Sequence, residues 1–158
     1  MKHRIVSIIS WLIILWTAKV FLSSLPYKFT GHPDTQHIFG TIGSWMKSVF
    51  GEGVGNGFVQ YGAYAVGTVE LVTTIILLSP AVFWTLKKAN VIPSSPSQHL
   101  IHAFGGVIAS SVMAGAVFFH LFTPLGIEVI HEGKNDHGSL FYAAVSILVL
   151  SAGLFVMN

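Results

Sequence analysis

The stretch "AVGTVELVTTIILL", Ala65–Leu78, is apolar almost throughout, yet Glu70 sits inside it. A charged carboxylate is costly in an apolar medium unless it is paired or neutralised. The stretch belongs to a longer apolar block, from about Phe58 to Ser79 or on to Trp84. About 20 consecutive apolar residues, as a helix, cross the hydrocarbon core of a bilayer. Three more blocks of that kind run from about Ile5 to Leu25, Leu100 to Thr123 and Ser139 to Met157. Backbone groups in lipid must pair within their own segment, which makes the blocks helices. Four segments are too few to close a barrel. The expected fold is therefore an all-α membrane protein, a bundle of four transmembrane helices forming one domain over residues 1–158.

Composition agrees. Hydrophobic residues make up 53% of the chain and charged residues 9%, against roughly 25% charged in soluble domains. The net charge of +2 reflects a few basic residues at span ends and gives no nucleic-acid-binding surface. With no cysteine in the chain, disulfides, thiolate metal sites and thiol redox chemistry are excluded. The start "MKHR" before an apolar run resembles a signal peptide, but the run is long for one and no A-x-A site follows.

Lys and Arg give an orientation. Lys2 and Arg4 open the chain, and Lys87 and Lys88 stand in the second connection. The third connection carries Glu128, Glu132 and Asp136 against a single Lys134. By the positive-inside rule both termini and the second connection are cytoplasmic, and the first and third connections face outward.

The first connection, Pro26 to Gly57, is long. Ile38, Phe39, Ile42, Trp45, Met46, Val49 and Phe50 recur in it at helical spacing, and Asp34 is a good N-cap after Pro33. An amphipathic helix is expected over about 35–50. It lies at the outer interface with Trp45 near the headgroups, packs across the mouth of the bundle or packs against a partner. The following "GEGVGNG", Gly51–Gly57, has no strand before it and no Lys after it. It reads as a hinge rather than a phosphate loop.

Ionisable groups inside spans face the bundle interior and find partners. Lys19 lies roughly 9 Å below the outer end of the first helix, and Glu70 roughly 12–18 Å below the same face. His120 stands near the outer end of the third helix. Lys19, Glu70 and His120 thus form a candidate polar cluster in the outer half of the bundle, with Gln60, Tyr61 and Tyr64 entering nearby. Tyr61, Tyr64, Phe118 and Phe119 are the candidate ring-binding aromatics, although aromatics at such places commonly serve packing. His102 belongs to the other end. A shared haem iron is disfavoured, because His102 and His120 are too far apart on one helix. His32, His37, His131 and His137 gather on the outward side with acids nearby, but their spacing matches no metal motif, and exposed loop histidines are the plainer reading.

Four pieces of the chain resemble the DoxX-like family of small four-span bacterial and archaeal membrane proteins. These are "TAKVFLSSLPYKF", "GTVELVTTIILL", "MAGAVFFHLF" and "GSLFYAAVSILVLSAGLFV". In that likeness Lys19 matches a basic residue closing the first helix, Glu70 the acid of the second and His120 the polar position ending the third. The family's Arg and Gly earlier in the first helix are missing here, and the first connection is longer. The resemblance implies an accessory subunit of a membrane oxidoreductase system in the cytoplasmic membrane, with a quinone as ligand and protein partners or further copies around it. A structural or assembly subunit and a small transporter are the competing expectations.

Overall fold

The structure, a computed structural model, describes residues 2–158. The elements in chain order are α1 (Lys2–Phe29), α2 (Pro33–Phe50), α3 (Glu52–Lys88), α4 (Gln98–Phe122), β1 (Ile130–His131), β2 (Lys134–Asn135) and α5 (Ser139–Met157). Helices α1, α3, α4 and α5 are long and apolar enough to cross a membrane. The chain is a multi-pass, all-α membrane bundle. Arg4, Lys87 and Lys88 mark one end, here called the basic end. Helix α2 and the β1–β2 hairpin lie at the other, the loop end.

Two apolar layers fill the bundle. Phe21, Ala109, Met113, Ala144 and Ile147 form the one nearer the loop end. Ile13, Ile14, Leu77 and Leu154 form the one nearer the basic end. Small residues let the helices close on each other. A Cβ on Gly106 would meet the Ser151 carbonyl oxygen at 2.7 Å, and one on Gly105 would meet Leu77 Cδ2 at 2.5 Å.

Helix α3 has 37 residues and is roughly 55 Å long, well beyond the roughly 30 Å of a hydrocarbon core. Pro80 lies buried inside a helix that continues to Lys88. Proline removes the N–H that would bond the Ile76 carbonyl. The Ser79 hydroxyl donates to that carbonyl at 2.7 Å instead, a repair that membrane helices use.

Helix α2 packs along the first half of α3 and across the end of the bundle, burying Thr35, Phe39, Ile42 and Gly43. Packing across the mouth of the bundle is one of its expected placements. Its start also differs from expectation. Pro33 takes the first helical position, and His32 caps the helix by accepting the Asp34 N–H at 3.3 Å. Proline is pre-shaped for that position, so Asp34 moves into the first turn, where a negative charge suits the helix dipole.

The glycine-rich stretch is not a hinge. Only Gly51, at φ 91°, breaks the chain, and Gly53, Gly55 and Gly57 are helical. Gly55 and Gly43 bring α2 and α3 into backbone contact, since a Cβ on Gly55 would meet the Gly43 carbonyl at 2.5 Å.

The third connection folds into a hairpin. Ile130 pairs with Asn135 and His131 with Lys134. Glu132 and Gly133 turn it with φ of 49° and 76°, the positive pair of a two-residue hairpin turn. Asp136 then accepts the N–H groups of Val129, Gly138 and Leu140. Leu125 and Val129 tuck against Ile42 of α2 and close the loop end.

The glycine packing gives a direct check. Gly106→Ala should cost about 1–3 kcal/mol through overpacking, read as a lower unfolding temperature in detergent. Gly115→Ala, with nothing within 4 Å of the added Cβ, should be neutral or mildly stabilising.

Candidate functional site

Glu70 sits on the buried face of α3, one turn above Thr73 and Thr74. Its partner is Lys28, not Lys19. Lys28 Nζ lies 2.7 Å from Glu70 Oε2, with side-chain exposures of only 14% and 4%. The single Ser24 hydroxyl proton is shared between the same oxygen at 2.9 Å and the Phe21 carbonyl at 2.8 Å, and Lys28 donates to Ser24 Oγ at 2.7 Å. Ser24 and Lys28, one turn apart on α1, present one face to α3. Lys19 is exposed on another face, its ammonium 5.6 Å from the centre of the Trp16 ring.

This group forms one wall of a cavity of about 660 Å³ enclosed by α1, α2, α3, α4 and α5. The walls are largely apolar, with Phe21, Phe39, Val66, Met113 and Phe119 among them. Asp34 lines the cavity with its side chain 49% exposed, and Tyr27, Val69 and Leu140 line it while exposed as well, so the cavity opens both toward the loop end and between the helices. Glu70 Oε2 holds both Ser24 and Lys28, while Oε1 takes no hydrogen bond from the described residues and is not sealed from the cavity.

His120 is the second polar group of the cavity. Its Nδ1 lies 2.6 Å from the Gly126 carbonyl. A carbonyl only accepts, so Nδ1 carries the proton, and a neutral ring then offers Nε2 as an acceptor. The cavity therefore presents hydrogen-bond acceptors at Glu70 and His120 and a charged donor at Lys28, between apolar walls.

Of the three residues expected to cluster, Glu70 and His120 share the cavity and Lys19 stands apart. Of the candidate aromatics, Phe119 lines it. Tyr61, Tyr64 and Phe118 are exposed. Tyr64 stacks on Phe29, and Phe118 packs on Trp45 and Phe122. Gln60 is exposed as well. Lys28 and Ser24 are the residues the sequence reading missed. The apolar block ends at Leu25, before Pro26, whereas α1 continues through Pro26 to Phe29 and carries Lys28. The Ser24–Lys28 spacing of one helical turn was the available signal.

The outward histidines divide. His37 stacks on His131 with ring centroids 4.5 Å apart. His131 Nδ1 donates to Asp34 Oδ1 at 2.9 Å, and His32 lies 3.4 Å from Asp34 Oδ2. His137 is exposed. Among the described residues no three His, Cys, Asp or Glu gather to hold a metal. The His131 hydrogen bond holds the Asp34 carboxyl below its ordinary range against a small burial effect, and the charges of His32, His131 and Lys134 act in the same direction as His131. This contact ties α2 to the hairpin over the cavity mouth.

No family model, curated protein or solved structure matches the chain.

Two outcomes follow from this geometry. Removing one member of a buried pair strands the other, at about 3–5 kcal/mol. Lys28→Met should therefore lower the unfolding temperature strongly, and adding Glu70→Leu to it should restore much of the loss. Lys19→Met should change little. The second outcome concerns pH. Asp34 is the stronger acid when folded, so its tie is present above the ordinary carboxylate range and lost as pH falls through its folded value. Hydrogen-exchange protection at residues 31–40, corrected for the intrinsic pH dependence of amide exchange, should fall on acidification in wild type and already be low in Asp34→Asn.

Proposed function

We propose that this small integral membrane protein binds a lipid-soluble molecule with a hydrogen-bonding ring or head, of the quinone or quinol kind, and serves as an accessory subunit of a membrane oxidoreductase system. The observation that carries the reading is the cavity with its buried Lys28–Glu70 pair. Its volume falls in the roughly 300–1,000 Å³ range of small-molecule sites, which are also mostly apolar with few polar groups. Hydroxyls of a reduced ring would donate to Glu70 Oε1 and His120 Nε2, and a carbonyl would take the free proton of the Lys28 ammonium. Asp34, at the mouth, places the polar opening at the loop end, while the walls suit a ring and an isoprenoid or acyl tail. The redox half of the reading comes from the likeness to DoxX-like proteins, whose matching positions include Glu70 and His120. An electron carrier would be supplied by a partner subunit.

The test is purification in a gentle detergent with mass spectrometry of bound lipids and copurifying proteins. Wild type should retain a quinone-like molecule above the bulk lipid level. Glu70→Gln should retain less, and Ala116→Phe, which fills the cavity, should retain none. Retention of protein partners with no enriched small molecule would replace this reading with that of an assembly subunit.

A further inference from the structure

Below the cavity, three buried side chains hold polar atoms with no partner among the described residues: Thr17 Oγ1, Ser151 Oγ and both ring nitrogens of His102. All three residues are fully buried. A buried polar group left unsatisfied is destabilising. An apolar residue would fill any of these places in a membrane bundle more cheaply. Threonine and serine in helices usually return their proton to a carbonyl on the preceding turn. Thr73 and Thr74 do so, to the carbonyls of Val69 and Glu70. Thr17 and Ser151 do not, and their hydroxyls are free to serve another partner.

The three sites follow the bundle axis. The Ser24–Glu70 hydrogen bond sets the register of α1 against α3. Thr73 and Thr74 then lie roughly 5 Å below Glu70, and Thr17 and Leu77 roughly 10 Å below it. Gly105 of α4 meets Leu77, and the neighbouring Gly106 meets Ser151, which puts Ser151 near the level of Thr17. His102 is roughly 5 Å lower again, its ring against Trp11 at 5.2 Å. Beside Trp11, Ser10 accepts a hydrogen bond from Asn158 Nδ2 at 3.0 Å, and Asn158 Oδ1 lies 2.8 Å from His99 Nδ1. His99 is partly exposed at the basic end. Polar groups thus recur about every 5 Å from the basic end to Glu70.

We propose that this column is a proton path that joins the basic end of the bundle to the Glu70 cavity. Water satisfies orphaned buried groups in polar sites, and on this proposal one water bridges each interval when the packed layer around the column parts. Hydroxyls both donate and accept, and an imidazole accepts at one nitrogen and donates from the other. A proton entering near His99 passes to His102 and through the Thr17 and Ser151 level, then by water held on the acceptor side of the Thr73 and Thr74 hydroxyls to Glu70. Each step moves one proton along a hydrogen bond and turns the groups over, so no bond to carbon changes and no oxidant is required. Chains of ionisable residues inside membrane helices are used in this way. The path does not depend on what occupies the cavity.

The experiment uses the purified chain in phospholipid vesicles loaded with a pH-sensitive dye, with a potassium diffusion potential driving proton entry. Wild type should acidify the lumen faster than protein-free vesicles. His102→Phe and the near-isosteric Thr17→Val, each shown to be monodisperse, should fall to the protein-free rate. A wild-type rate equal to that of protein-free vesicles, or wild-type conduction by either variant, would overturn the path.

Discussion

A carboxylate that must live inside a membrane helix needs a counter-charge, and the placement of Lys28 against Glu70 organises much of this molecule. The pair requires α1 to run on through Pro26, so that Ser24 and Lys28 share a face one turn apart. It fixes the height of α1 against α3 and so the height of each layer below. In a low-dielectric setting the attraction is strong, but so is the cost of stripping water from both charges. Ser24 helps by donating to the same carboxylate oxygen. The pair does not fill the space around it. Above and beside it the helices stand apart and leave the cavity.

The loop end is built to cover that cavity. Helix α2 lies over it, held against α3 by the Gly43–Gly55 approach and against the hairpin by Asp34, His131 and His37. Leu125 and Val129 seal one side against Ile42. The basic end is closed differently, by Ile13, Ile14, Leu77 and Leu154 around a few polar groups. The bundle is therefore polar and open toward the loops and tightly packed toward the basic end. A lipid-soluble ligand held at the first end and protons reaching it from the second would make use of that asymmetry.

The four spans and the extra helix were legible in the sequence because long apolar runs and the helical spacing of Ile38, Ile42, Trp45 and Val49 are local signals. Glu70 was legible as a problem for the same reason. Its partner was not. Depth along a helix ranks Lys19 and Lys28 only if the helix end is known, and Pro26 made the end look earlier than it is. The face of the helix then decides between them, and Lys19 points away. Pro80 leaves the end of the second block open between Ser79 and Trp84 in the same manner, because the Ser79 hydrogen bond that serves the Ile76 carbonyl is invisible in a propensity reading. The glycines of Gly51–Gly57 looked like a hinge because sequence alone does not show that α2 folds back on them. The hairpin turn at Glu132–Gly133 was a short signal inside a connection read mainly for its charge.

The pairing of Glu70 is best tested by solid-state NMR in bilayers, with 15N-labelled lysine and 13C-labelled glutamate. The spacing of 2.7 Å between Lys28 Nζ and Glu70 Oε2 predicts a direct dipolar coupling from the Lys28 amine nitrogen to the Glu70 carboxyl carbon, removed by Lys28→Met and kept in Lys19→Met. A Glu70 coupling that survives Lys28→Met and vanishes in Lys19→Met, or no coupling to any lysine, would contradict the account.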